Sequence, residues 1–121
     1  AIADYTWPGS TTVIPTIPEL FVKYLSNKNI PLILSLYDDA AVFVTSKQTI
    51  QGKNALNGWY SALLSTLYAD ATFTLDSFSG SESTMKMIWK IKTNDGSTFS
   101  IADTLGIQEK KILYHYSSIQ Y

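Results

Sequence analysis

Cysteine and arginine are both absent from the 121 residues, and histidine occurs once, at His115. Without cysteine there is no disulfide framework and no thiol nucleophile, and one histidine cannot supply the usual Cys/His ligand set of a zinc site. Without arginine, all nine cations are lysines, so no bidentate guanidinium fork can grip a carboxylate or phosphate. A strong charge of either sign is also missing. Nine basic against ten acidic residues leave a formal net charge of −1, which argues against a nucleic-acid surface and against polybasic membrane attachment. Long apolar runs are lacking too. The uncharged stretches Tyr5 to Pro18 and Asn54 to Ala69 are broken by proline, glycine and hydroxyl residues, short of the roughly 18 to 20 apolar residues that span a bilayer. The sequence begins at Ala1 without methionine, so a processed or trimmed start is expected and the compartment stays open.

What is present is a core. Apolar residues make up 45% and aromatic residues 13%, which excludes general disorder and suits one domain. Residues 1–15 read as an arm, with Trp7-Pro8-Gly9 as turn chemistry and with Tyr5 and Trp7 expected to pack onto the body. The domain proper is expected over residues 16–121. Thr16-Ile17-Pro18-Glu19 has capping-box spacing, and Ile17, Phe21, Tyr24 and Leu25 then fall on one helical stripe. Asn29 and Pro31 open a second helix with Ile30, Ile33, Leu34 and Tyr37 on one face, stopped by Asp38-Asp39. Residues 41–45 read as a strand. A third helix is expected from Lys53 to Tyr68, its apolar stripe running through Leu56, Trp59, Tyr60, Leu63, Leu64 and Leu67.

From Asp70 the period changes to two. Phe73, Leu75 and Ser77 form one inward-facing set. Met85, Met87, Trp89 and Ile91 form a second, and Phe99, Ile101, Asp103, Leu105 and Ile107 a third. Asn94-Asp95-Gly96 is a strong hairpin signal, and Gln108-Glu109-Lys110 separates the last two strands. Helices first and an antiparallel meander last indicate an α+β fold, with three N-terminal helices on one face of a curved, mainly antiparallel sheet.

Asp103 is the most informative residue, because its parity puts a carboxylate on the apolar face. Such a group is either a pocket acid/base or a structural aspartate bonded to hydroxyls or backbone N–H groups. His115 is either a satisfied structural histidine or a partner for Asp103. A three-residue loop at 108–110 would set it directly opposite Asp103, whereas a two-residue loop would set Tyr116 there instead. The eight tyrosines are read as core residues or as pocket phenols. Asp38-Asp39 read as a solvated loop after a helix end, and the lysines at positions 86, 90, 92, 110 and 111 as solvated surface.

Several strings resemble the nuclear transport factor 2-like superfamily, in its SnoaL-like and ketosteroid-isomerase-like branch. Residues Phe21-Val22-Lys23-Tyr24-Leu25 and Leu34 through Val42 resemble its opening helices and first strand. Gln51-Gly52-Lys53-Asn54-Ala55-Leu56 with Trp59-Tyr60 looks like its third helix, and Asp103 followed by Lys110-Lys111-Ile112 like its closing hairpin. The resemblance covers residues 16–121 and implies a cone-shaped domain. It also implies an interior pocket lined by Phe21, Tyr24, Trp59, Leu63, Met87 and Trp89, which takes a small hydrophobic molecule. Among the family's isomerase residues, the base position falls at Val44 and the tyrosine position at Phe21, so only Asp103 matches. The resemblance to SnoaL-like cyclases makes Asp103 the acid/base, with an inward His115 tuning or relaying it. It implies no metal or redox cofactor, and it implies a homodimer formed through the sheet. A non-catalytic ligand carrier or dimerisation module of the same fold is the alternative.

Overall fold

Thr16 starts the first helix as the capping spacing requires, and the computed structural model describes the chain from there through residue 119, apart from Glu82. The proposed packing of Tyr5 and Trp7, and the end of the last strand at Tyr121, lie outside the described residues. In helix α1 (Ile17–Ser26) the Glu19 carboxylate accepts from the Thr16 N–H at 3.0 Å and from its hydroxyl at 2.9 Å. Those bonds, the backbone one first, hold the Glu19 carboxyl below its ordinary range. Pro18, Phe21, Val22 and Leu25 are its buried face. Helix α2 (Ile30–Ser35) is capped by the Asn29 side chain, which accepts from the Leu32 N–H at 3.2 Å.

The expected reach of α2 to Tyr37 is corrected. The helix ends at Ser35, and Tyr37 opens strand β1 (Tyr37–Val44). The Leu36 carbonyl accepts from the Ile112 N–H at 2.8 Å, and Tyr37 pairs with Ile112. The sheet thus captures this turn before another helical one can form. Asp38 and Asp39 lie in the irregular part of β1, between the Tyr37–Ile112 and Val42–Tyr114 pairings, rather than in a loop. A short strand β2 (Thr49–Gln51), not expected from the sequence, pairs antiparallel with β1. Helix α3 (Lys53–Ala62) follows, and a π-helical turn over Leu63–Leu67 continues it, so regular α-helix stops short of the expected Tyr68. Only two helices therefore precede the sheet, and the third is inserted after β1 and β2.

Strands β3 (Thr72–Gly80), β4 (Thr84–Lys92), β5 (Thr98–Gln108) and β6 (Lys111–Ser117) complete a six-stranded sheet of order β2-β1-β6-β5-β4-β3. Every neighbouring pair is antiparallel except β1–β6. The chain is α+β, with a curved, mostly antiparallel sheet. Met87, Trp89 and Ile91 of β4 and Ile101 and Leu105 of β5 are buried as their parity demands. Phe99 shares that parity but is 46% exposed, lying at a strand end in an open cleft beside Tyr68 and Lys47.

Two single-residue irregularities reset which side chains face inward. In β3, Leu75 pairs with Trp89 and Ser77 with Ile88, so Asp76 is the extra residue. Ser77 therefore faces outward with Ile88, contrary to the alternation expected, and Phe78 and Gly80 turn inward opposite Met87 and Met85. In β6, Ile107 pairs with Ile112 and Gly106 with Tyr114, which leaves Leu113 as the extra residue.

Candidate functional site

The β5–β6 connection is a two-residue turn. Gln108 pairs with Lys111, and both Glu109 (φ 53°) and Lys110 (φ 64°) adopt the left-handed conformation such a tight turn needs. Continued without interruption, that register would set Tyr116 opposite Asp103. The bulge at Leu113 shifts it by one, so Asp103 faces Ser117 and Leu105 faces His115. Neither register expected from the sequence is adopted. The bulge nevertheless returns His115 and Ser117 to the inner face, and His115 reaches Asp103 diagonally.

The contact is direct. The His115 Nε2 atom lies 2.6 Å from Asp103 Oδ2, and the Ser117 hydroxyl donates to Asp103 Oδ1 at 2.7 Å. The Ile119 N–H donates in turn to Ser117 Oγ at 3.2 Å. On its other side His115 Nδ1 is 2.7 Å from the Tyr37 hydroxyl, which is 2.6 Å from the Tyr60 hydroxyl. A continuous polar relay thus runs Tyr60–Tyr37–His115–Asp103–Ser117, linking α3 to β1, β6 and β5. All five residues are buried, Asp103 at 3% exposure and His115 at 0%. Burial first, then the neighbouring Tyr60 and the Asp103 charge, push the Tyr37 phenol far above its ordinary range. Burial does the same to Tyr60, against the opposing pull of its bond to Tyr37. Both therefore stand as neutral phenols.

Around the imidazole, the Phe43 ring lies at 4.4 Å between centroids, Phe21 at 5.6 Å edge-on and Tyr37 at 5.9 Å nearly stacked. Phe21 also meets the Trp89 ring edge-on at 5.7 Å. Of the side chains expected to line an interior pocket, Phe21, Trp59, Leu63, Met87 and Trp89 are buried in the hydrophobic core, and Tyr24 packs half-buried against it. Asp103 and His115 come together, with the Phe43, Phe21 and Tyr37 rings packed around the imidazole. Among the described residues, the indole N–H of Trp89 is buried without an acceptor. The sequence reading left Tyr37, Tyr60 and Ser117 out of the site. The available signal for Ser117 was its i+2 spacing from His115, which puts both on one strand face.

Open space lies at one end of the sheet. A groove of about 920 Å³ runs between the start of α1 and the ends of β3, β4 and β5. Its apolar lining is Ile17, Leu20, Leu36, Phe78, Met85 and Ile107, and its rim carries Ser79, Ser81, Ser83, Glu109 and Lys110. Gly80 forms one corner. Its φ is +128°, and a Cβ there would collide with the Thr84 carbonyl oxygen, so that corner excludes a side chain. The β3 bulge is what turns Phe78 into this groove.

No family model matches the sequence, and no curated protein matches it by sequence. Solved structures do match. A candidate polyketide cyclase from Sinorhizobium meliloti superposes with a TM-score of 0.75 at 15% identity, over 87% of this chain and 95% of that one. A hypothetical protein with a ketosteroid isomerase-like fold from Catenulispora acidiphila, in complex with trimethylamine, gives 0.72 at 12% identity over 89% and 88%. A nuclear transport factor 2-like protein of unknown function from Cytophaga hutchinsonii gives 0.69 at 10% identity over 90% and 95%. Likeness at such identities is one of fold, and the fold of this chain is the nuclear transport factor 2-like fold, shared with polyketide-cyclase-like and ketosteroid-isomerase-like structures.

Proposed function

We propose that the chain is a non-catalytic binding module that takes a small apolar molecule in the groove at the end of the sheet. One contrast supports this reading above the rest. The Asp103 carboxylate has both oxygens engaged by His115 and Ser117 and is shut away from solvent, whereas the apolar groove is open. A proton-transfer isomerase or cyclase needs its acid/base within hydrogen-bond reach of substrate, whereas Asp103 is buried and three rings pack around its His115 partner. The groove's volume and mainly apolar lining suit small hydrophobic ligands.

The test is a thermal-shift screen with apolar carbonyl compounds, polyketide-like aromatics and steroids. A ligand at 100 times its dissociation constant stabilises by about 2.7 kcal/mol. A hit that is lost in Met85→Lys and kept in Asp103→Asn supports the groove. A hit with the reverse dependence would place the ligand in the interior and return Asp103 to the acid/base role.

The same reading includes a homodimer formed through the outer face of the sheet. Ile88, Tyr114 and Tyr116 are 41%, 43% and 46% exposed there. On β5 the face is small, with Ala102 beside Ile88, Thr104 beside Tyr116 and Gly106 beside Tyr114, while Lys86, opposite Thr104, and Lys90 flank Ile88 on β4. Light scattering should give twice the chain mass, falling to the monomer in Tyr116→Lys. A wild-type monomer at tens of micromolar would refute the dimer.

A further inference from the structure

The groove at the end of the sheet begins where the arm ends. Thr16, Ile17 and Leu20 form one wall of it, and Thr16 is also the residue to which the arm, residues 1–15, is joined. Its other walls are Phe78 of β3, Met85 of β4 and Ile107 of β5. Phe78 is 39% exposed, and Ile17, Leu20, Met85 and Ile107 are only partly buried against the core. The described residues thus leave an apolar surface uncovered at the foot of the arm. Among those residues the charges on the rim are Glu109 and Lys110. Their signs offset each other, so the groove favours an occupant that is apolar and nearly neutral.

The arm has that composition. Asp4 is its one charged side chain, and Ile2, Tyr5, Trp7, Val13 and Ile14 are apolar or aromatic. A segment that stays solvated is rich in charge and poor in aromatic residues, and this one is the opposite. Reach is no obstacle. Trp7 stands nine residues before Thr16, a span of up to about 30 Å when extended, and Pro8-Gly9 supplies turn chemistry for the return. A tether this short holds its free part at an effective concentration in the millimolar range. The arm therefore competes for the groove ahead of any apolar molecule that must diffuse to it.

We propose that the arm folds back over the groove and seats Trp7 against Phe78 and Met85, so that a small ligand enters only by displacing it. The proposal rests on the reading of the groove as the ligand site. An indole ring gains an aromatic contact with Phe78 and a sulfur contact with Met85, and the hydroxyls of Ser79, Ser81 and Ser83 on the rim are acceptors for its N–H. The arm then acts as a built-in competitor. It lowers the apparent affinity for ligand by the fraction of time the groove is free.

Two readouts on the full chain test the seat and the gate. The sequence has two methionines, Met85 and Met87, so isotope labelling of their methyl groups gives two NMR signals. The Met85 methyl should show a nuclear Overhauser contact to the Trp7 ring. Trp7→Ser should shift that signal through loss of the ring current, while Met87, 1% exposed in the core, stays in place. Nile red, a neutral apolar dye, then reports entry. Trp7→Ser should bind it about tenfold more tightly than the unaltered chain, as expected when a seated arm leaves the groove free a tenth of the time. Met85→Lys in the same background should remove that binding. A Met85 signal that lacks the contact and is unmoved by Trp7→Ser overturns the seat. Equal dye affinity in the two chains overturns the gate. If the contact is present and the dye binds neither chain, the seat stands and the small-molecule reading of the groove is what fails.

Discussion

The interior relay and the groove at the sheet's end invert the usual arrangement of a small domain. Tyr37, Tyr60, Asp103, His115 and Ser117 are polar and buried, while Ile17, Leu20, Phe78, Met85 and Ile107 are apolar and line open space. The relay is over-determined. Each of its members has a partner, and the bonds tie one helix to three strands. The groove is under-determined, since its side chains come from α1, β3, β4 and β5 without filling the volume between them. Residues that specify the fold and residues that could meet a ligand are thus separate sets here. In an enzyme built on a buried carboxylate they would overlap.

The sharpest way to break that separation is to remove the carboxylate. Asp103→Ala leaves the Nε2 atom of His115 and the Ser117 hydroxyl without their partner in a site that water does not reach. Each buried hydrogen-bonding group left unsatisfied costs about 1 to 3 kcal/mol, and two are left here. The expectation is a loss of that order in urea denaturation, enough to threaten folding of a chain this size. A loss below about 1 kcal/mol would mean that Asp103 is dispensable to the fold, and the acid/base reading would regain ground.

Alkali attacks the same relay from its phenol end. Tyr37 and Tyr60 have folded-state values raised by burial, above the unfolded value of roughly 10. The unfolded chain therefore loses those protons first. The stabilisation is fully present below about pH 10 and is lost as pH rises from there toward the folded values, by about 1.4 kcal/mol per pH unit for each phenol. Urea midpoints measured from pH 8 to pH 11 should fall beyond pH 10, and Tyr60→Phe should lessen the slope. An equal slope in that variant would show that the Tyr60 phenol contributes nothing to the alkaline loss.

The two regions also differ in how far the sequence disclosed them. The capping box at Thr16, the turn at Asn94-Asp95-Gly96 and the inward parity of Met87, Trp89, Ile101 and Asp103 were all legible, because each rests on local chemistry or a regular period. The inward pairing of Asp103 with His115 was legible only as one of two registers, and both were wrong. A bulge is a single added residue, and neither Asp76 nor Leu113 carries a side chain that marks one. The turn at Glu109-Lys110 was disguised as well, since left-handed pairs in tight hairpins are usually written Asn-Gly rather than Glu-Lys. Tyr37 falls on the helical stripe of Ile30, Ile33 and Leu34, because its strand pairing to Ile112 lies 75 residues away and leaves no local trace. The groove was missed for a related reason: Phe78 reaches it only by way of the Asp76 bulge.

That dependence makes Phe78 the mildest and most discriminating probe of the comparison. The side chain is 39% exposed and lines the groove rather than packing in the core. Phe78→Ser should therefore cost about 1 kcal/mol, well under the loss expected at Asp103. It removes the aromatic wall of the groove while leaving the relay's distances untouched, so His115 ring signals should match the wild type. Ligand stabilisation in the thermal-shift assay should drop even though the unliganded midpoint barely moves. A large fall in that midpoint, or a shift of the His115 signals, would show that rim and relay form one cooperative unit. The groove would then be part of the core's support, and the ligand would have to be sought on the outer face of the sheet.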